Sequence, residues 1–188
     1  MESKLQIYNR MMSTLHELKT EFINEASLAI QKRVLLMEEF RTSIKIGLYC
    51  PYGNEVMTDM LFTESDKHRR ELYYPAKSQD KDELSFYRII NLEHIIPTKC
   101  GIKITGEIIR RLRDENELDV LLVPGIAFDL HGARLGEDET LYNTVLDDFR
   151  GTRIALAYDF QIVSELPVVL RKNRVDLVVT EKRIIKSI

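Results

Sequence analysis

The chain has 188 residues, 44% of them hydrophobic and 30% charged, with a formal net charge of −3 at pH 7. These proportions fit a folded chain of one domain, here 1–188 with a helical segment over 1–42 and an α/β core over 43–188, and they exclude a disordered one. No apolar run approaches the ~18 residues of a membrane span. The start MESKLQIYNRMM lacks signal-peptide features, so a soluble, cytoplasmic protein is expected.

Residues 1–40 contain neither Gly nor Pro. Leu5, Tyr8, Met11, Met12, Leu15, Leu18 and Phe22 recur at helical spacing, and Ile30, Val34 and Met37 continue the pattern, which predicts one long helix or two. SIKIGLYCP (43–51) reads as a strand that ends at Pro51. NEVMTDMLFTESDKHRR (54–70) reads as a helix. ELYYPAK (71–77) and LSFYRII (84–90) read as strands around the polar turn SQDKDE. The stretch from Asn91 is predicted irregular up to Gly106, followed by a short helix. DVLLV (119–123) is the clearest buried strand, an unbroken apolar run suited to a parallel sheet covered on both faces. A loop and a helix follow, then a strand at TRIALAYD (152–159), and RVDLVVTEKRII (174–185) makes one strand or two. Strands alternating with helices predict an α/β fold, a three-layer α/β/α sandwich with a mainly parallel sheet.

Much chemistry is excluded. His16, His68, His94 and His131 are dispersed, no CxxC or HxxxH pair exists, and a structural zinc site is not expected. Neither a P-loop, a GxGxxG nor a GxSxG elbow occurs. Cys50 and Cys100 have no disulfide or metal spacing and are expected as buried thiols. The net charge gives no general pull toward nucleic acid, and the basic runs 67–70, 110–113 and 171–174 read as solvated faces. His131 reads as a solvated turn residue.

The informative stretch is PGIAFDLHGARLGEDETLYN (124–143). A strand, a Gly-bearing loop and a helix in that order can cradle an anion with backbone N–H groups and the helix N-terminus. This loop nevertheless carries Glu137, Asp138 and Glu139. Its framing residues, Pro124, Gly125, Ala127, Phe128, Asp129, Gly132, Arg134, Leu135 and Gly136, resemble without a gap the nucleotide loop of the 5-formyltetrahydrofolate cyclo-ligase (methenyltetrahydrofolate synthetase) family. Glu55 and Thr58 in NEVMT are similar to the family's EVxT segment. Gln161, Pro167, Asp176, Thr180 and Glu181 match its C-terminal third, so the likeness spans nearly the whole chain.

The resemblance implies the cyclo-ligase architecture, akin to CoA-transferase-like folds. It also implies an ATP- and Mg²⁺-dependent ligase of one-carbon metabolism that converts 5-formyltetrahydrofolate to 5,10-methenyltetrahydrofolate. Partners would be a small-molecule folate and a nucleotide, with no nucleic acid or membrane, and the protein would act as a monomer. Nucleotide contacts would fall on Lys4 and on Arg134, Leu135, Gly136, Glu137, Asp138, Glu139, Thr140, Leu141 and Tyr142. Asp138 and Asn143 would stand at the metal, and no catalytic side chain is implied. Glu55 would receive the pterin's N–H groups near its helix start, with Cys50 and Pro51 as the adjacent wall.

This sequence also departs from the family pattern. Asp138, Glu139 and Thr140 replace the family's glycine-rich turn, Asn143 replaces an Asp and Thr144 an Arg, while Tyr142 is kept. Tyr8 stands at the Arg of the N-terminal element, where Lys4 and Ile7 remain. Arg171 and Lys172 replace a His-Asp pair, and the middle element survives only as Gly101 and Ile102. Lys77 stands one position from a basic family residue. Side chains with a Cβ resist the φ > 0 conformations glycine allows, and carboxylates repel a triphosphate. The acids are therefore expected to weaken an inherited nucleotide site. The alternative function is a divergent, non-catalytic relative that binds a folate or other ligand without turning over ATP.

Overall fold

Ser3 starts the first helix by a capping box, its hydroxyl accepting from the Gln6 N–H while the Gln6 side chain accepts from the Ser3 N–H. The computed structural model describes residues 2–77, 84–99, 101–137, 139–167 and 174–187, with backbone alone for 139–141. The turn 78–83, Cys100, Asp138, Arg171 and Lys172 lie outside the described residues. Helix α1 (Lys4–His16) buries Ile7, Met11 and Leu15, four residues apart on one stripe. Helix α2 (Thr20–Leu36) buries Ala26, Ile30 and Val34, and the short α3 (Glu38–Arg41) buries Phe40. The predicted helical segment is thus two long helices and a single extra turn. None of the described helices is long and apolar enough to cross a membrane.

The strands follow as β1 (Lys45–Gly47), β2 (Glu71–Lys77), β3 (Leu84–Arg88), β4 (Ile95–Thr98), β5 (Gly101–Ile104), β6 (Val120–Val123), β7 (Ala127–Asp129), β8 (Arg134–Leu135), β9 (Thr152–Leu156), β10 (Ile162–Val163), β11 (Leu177–Val179) and β12 (Ile184–Lys186). Helices α4 (Asp59–Lys67) and α5 (Glu139–Asp148) connect them. Nine strands form one sheet in the order β12-β11-β9-β6-β1-β2-β5-β4, with β3 also paired to β2. Strands β2, β1, β6, β9 and β11 run parallel, while β3, β4, β5 and β12 add antiparallel edges.

Strand β6 is central, and all four of its residues are fully buried. Val120 and Leu122 face a core shared with α1, α2 and α4, whereas Leu121 and Val123 face one shared with α5. The alternation makes three layers, helices over both faces of a mainly parallel sheet, as the apolar run predicts. Burying each such side chain stabilises the fold by roughly 1.5–3 kcal/mol.

Three predictions are corrected. The helix expected over 54–70 spans only Asp59–Lys67. Residues 49–58 make their own bonds: the Tyr49 hydroxyl donates to the Val56 carbonyl at 2.8 Å, and the Thr58 hydroxyl to the Tyr49 carbonyl at 2.9 Å. The start of α4 is capped from α2, where Gln31 Oε1 accepts from the N–H groups of Met60 and Leu61. The stretch expected to be irregular is the antiparallel pair β4–β5. The short helix expected after Gly106 is reduced to a single 3-10 turn at Glu115–Glu117, because 110–112 bonds instead to β3, with Arg88 N–H donating to Arg110 O and Leu112 N–H to Phe86 O. The loop after β6 is itself ordered, and β7, β8 and β10 form a separate three-stranded sheet.

Candidate active site at the carboxyl end of the central strand

At the carboxyl end of β6 the chain leaves through Pro124 and Gly125, and Gln161 anchors that exit. Its Nε2 donates to the carbonyls of Gly125 (2.8 Å) and Ile126 (3.1 Å), and its Oε1 accepts from the Tyr158 N–H. Asp129, 2% exposed, accepts from the N–H groups of His131, Ala133 and Leu166 at 2.9–3.0 Å. That carboxylate sets the β7–β8 turn, where Gly132 has φ 79° and a methyl would collide with Ser187. His131 is exposed in the turn.

The turn delivers Arg134. Its guanidinium is buried, Nε donates to the Pro124 carbonyl at 2.7 Å, and Cζ lies 4.8 Å from the centroid of the Tyr142 ring on α5. Gly136 lies directly against this guanidinium, with room only for hydrogen.

Arg134, Glu137 and Tyr142 line a cavity of about 180 Å³ together with Glu55, Tyr52, Asn54 and Lys99. Met12, Leu15 and His16 of α1 supply another wall. Glu55 lies before α4 in the segment 52–55, where its Oε2 accepts from the Tyr52 N–H at 2.9 Å. Asn54 ties that segment to α1 by donating to the Leu15 carbonyl at 2.7 Å. Glu137 forms an ion pair with Lys99 at 2.9 Å, and this hydrogen bond holds the Lys99 ammonium above its usual pKa.

The structure therefore brings four predicted residues, Glu55, Arg134, Glu137 and Tyr142, into one cavity. Leu135 and Gly136 are buried beside it, and Glu139, Thr140 and Leu141 form the first turn of α5. Cys50 is half-buried and its thiol pKa is raised, first by burial and then by Glu55, but the cavity wall is Tyr52, Gly53 and Asn54 rather than Cys50 and Pro51. Lys4 is exposed on α1, Lys77 is exposed at the end of β2, and Asn143 is half-buried on α5; none of the three lines the cavity. Sequence reading missed Lys99 and the α1 wall. The helical stripe of Met12 and Leu15 signalled a buried face, with nothing to distinguish cavity wall from core.

Comparison with known proteins identifies the family. The model of the 5-formyltetrahydrofolate cyclo-ligase family matches residues 1–181. The chain belongs to the 5-formyltetrahydrofolate cyclo-ligase family. It is 24% identical to a probable 5-formyltetrahydrofolate cyclo-ligase of Schizosaccharomyces pombe, covering 98% of both chains. It is 26% identical to the 5-formyltetrahydrofolate cyclo-ligase of Mus musculus, covering 89% of this chain and 88% of that one. The solved structure of 5,10-methenyltetrahydrofolate synthetase from Aquifex aeolicus superposes with a TM-score of 0.83 at 31% identity, covering 97% of this chain and 92% of that one. A synthetase from Mycoplasma pneumoniae shares the fold at a TM-score of 0.71 and 22% identity, covering 96% of this chain and 99% of that one.

Among the described residues no group of three His, Cys, Asp or Glu side chains converges as a metal cage.

Proposed function

We propose that the chain catalyses the ATP- and Mg²⁺-dependent closure of 5-formyltetrahydrofolate to 5,10-methenyltetrahydrofolate. In that reaction the γ-phosphoryl group passes to the formyl oxygen, N10 attacks the activated carbon, and the C–O bond breaks to release inorganic phosphate alongside ADP. No protein nucleophile is required, so the side chains position two ligands and stabilise charge.

One observation carries the reading. Glu55, the carboxylate assigned to the folate, shares a cavity with Arg134, Glu137 and Tyr142 of the loop assigned to the nucleotide. The buried guanidinium of Arg134 supplies fixed positive charge beside the helix start of α5, where a phosphoryl group gains most. Glu55 offers a charged acceptor to pterin N–H groups across the same space. The cavity of about 180 Å³ is smaller than the ~300–1,000 Å³ of ligand pockets, which suits the two reacting ends, with the remainder of each ligand lying along the surface. Mg²⁺ on the triphosphate would neutralise part of the phosphate charge.

The test is appearance of methenyltetrahydrofolate absorbance when 5-formyltetrahydrofolate, ATP and Mg²⁺ are mixed with the protein, with ADP formed one for one. Turnover that stops without ATP supports the proposal. Tight folate binding with no turnover at any ATP concentration would establish the non-catalytic alternative instead.

A further inference from the structure

The ion pair between Lys99 and Glu137 joins segments 38 residues apart across the cavity, and both side chains line it. Lys99 is 60% exposed and Glu137 32%, so the contact adds little to folding, and its position invites another role. Lys99 directly follows β4, and β5 begins at Gly101. That glycine has φ 104°, and a methyl on it would sit 2.9 Å from the Pro75 carbonyl carbon, so the turn packs straight onto β2. The Thr98 hydroxyl closes the turn by donating to the Gly101 carbonyl at 3.2 Å. Opposite, Glu137 follows Gly136, which is pinned over the Arg134 guanidinium.

We propose that Lys99 is a phosphate-binding residue of this cavity, and that Glu137 holds its ammonium at the rim until a phosphate group displaces the carboxylate. The proposal rests on the cyclo-ligase reading for the nucleotide but concerns a residue that reading does not assign. A phosphate entering beside Arg134 meets Glu137 and Lys99 together. The carboxylate's negative charge opposes entry, and its contact with Lys99 offsets that charge while no phosphate is present. On entry the ammonium exchanges one anionic acceptor for another. Because a phosphate bears more charge than a carboxylate, the exchange runs toward the ligand. The acid in the loop thus orients a cation for phosphate, and it keeps that cation from anions of lower charge.

Calorimetric titration with Mg²⁺-tripolyphosphate, which lacks base and ribose, and separately with Mg²⁺-ATP, tests this in the parent, Lys99→Met, Glu137→Gln and the double variant. Lys99→Met should weaken both ligands at least tenfold. Glu137→Gln should strengthen both severalfold, and that gain should shrink in the Lys99→Met background. Affinity within twofold of the parent in Lys99→Met makes the pair an ordinary surface contact and overturns the proposal. A parent that binds no tripolyphosphate, or a Glu137→Gln variant that binds it more weakly, overturns it as well. A thermal melt close to the parent's in each variant checks folding. Normal turnover with Lys99-independent phosphate binding defeats this inference alone. Lys99-dependent tripolyphosphate binding in a parent without turnover defeats the cyclo-ligase reading alone.

Discussion

Gly136 and Arg134 occupy one another's space: a methyl group on Gly136 would lie 2.5 Å from Arg134 Cζ. The guanidinium fills the volume that any larger residue at 136 would need, and it lies over the Tyr142 ring. Gly136→Ala should therefore push the cation off Tyr142 while leaving the backbone unstrained. Loss of a charge-assisted phosphate contact is expected to weaken Mg²⁺-ATP binding at least about tenfold, with a small change in melting temperature. Nucleotide titration beside a thermal melt separates the two effects, and unchanged ATP affinity would remove Arg134 from the phosphate site.

Glu55→Gln keeps an acceptor for the Tyr52 N–H and loses the charge. Folate binding should weaken by roughly 1–3 kcal/mol, the cost of a lost charged hydrogen bond, while ATP affinity stays put. Calorimetry with 5-formyltetrahydrofolate reads this directly. Equal folate affinity in parent and variant would refute the assignment.

Asp129 collects three backbone N–H groups on two buried oxygens. Asp129→Asn must turn its amide group toward at least one of those donors. A stability loss of at least about 2 kcal/mol is expected, seen as a lower urea midpoint. Since the same bonds set the turn that delivers Arg134, ATP affinity should fall with it. A midpoint matching the parent's would contradict this account.

The carboxyl of Glu117 is held below its ordinary pKa by the Lys45 ammonium and then by the Arg113 N–H. Above the ordinary carboxylate range it is ionised in folded and unfolded chains alike, and its contribution is complete. That contribution disappears as pH falls through the lowered folded value. Between about pH 5 and pH 3, urea midpoints should therefore fall less steeply in Glu117→Gln than in the parent. Parallel pH profiles would show that the contact does not outlast unfolding equilibria.

Legibility in the sequence followed the distance over which each feature is decided. Strand β2 is legible to its ends, and β6 is legible as a strand buried on both faces, because local apolar runs and their punctuation decide both. The β4–β5 pair was missed since Pro97 and Gly101 look like breakers, although Pro97 pairs with Ile102 at the sheet's edge. The helix expected after Gly106 failed because tertiary pairing with β3 overrode local propensity. Family resemblance located Glu55, Arg134 and Tyr142, which carry motif signals. Lys99 had none, because an ion pair between positions 99 and 137 leaves no trace in either neighbourhood.

The cavity draws its wall from residues as distant as Met12 and Tyr142, so no fragment of the chain contains it. A ligand that fills it recognises only the assembled chain and adds RT ln(1 + [L]/Kd) to global stability, about 2.7 kcal/mol at a hundredfold excess over Kd. Folding and ligand capture then share a single equilibrium. A cell short of the ligands would hold more of the chain open to proteases, and the protein's lifetime would follow the supply of the molecules it binds.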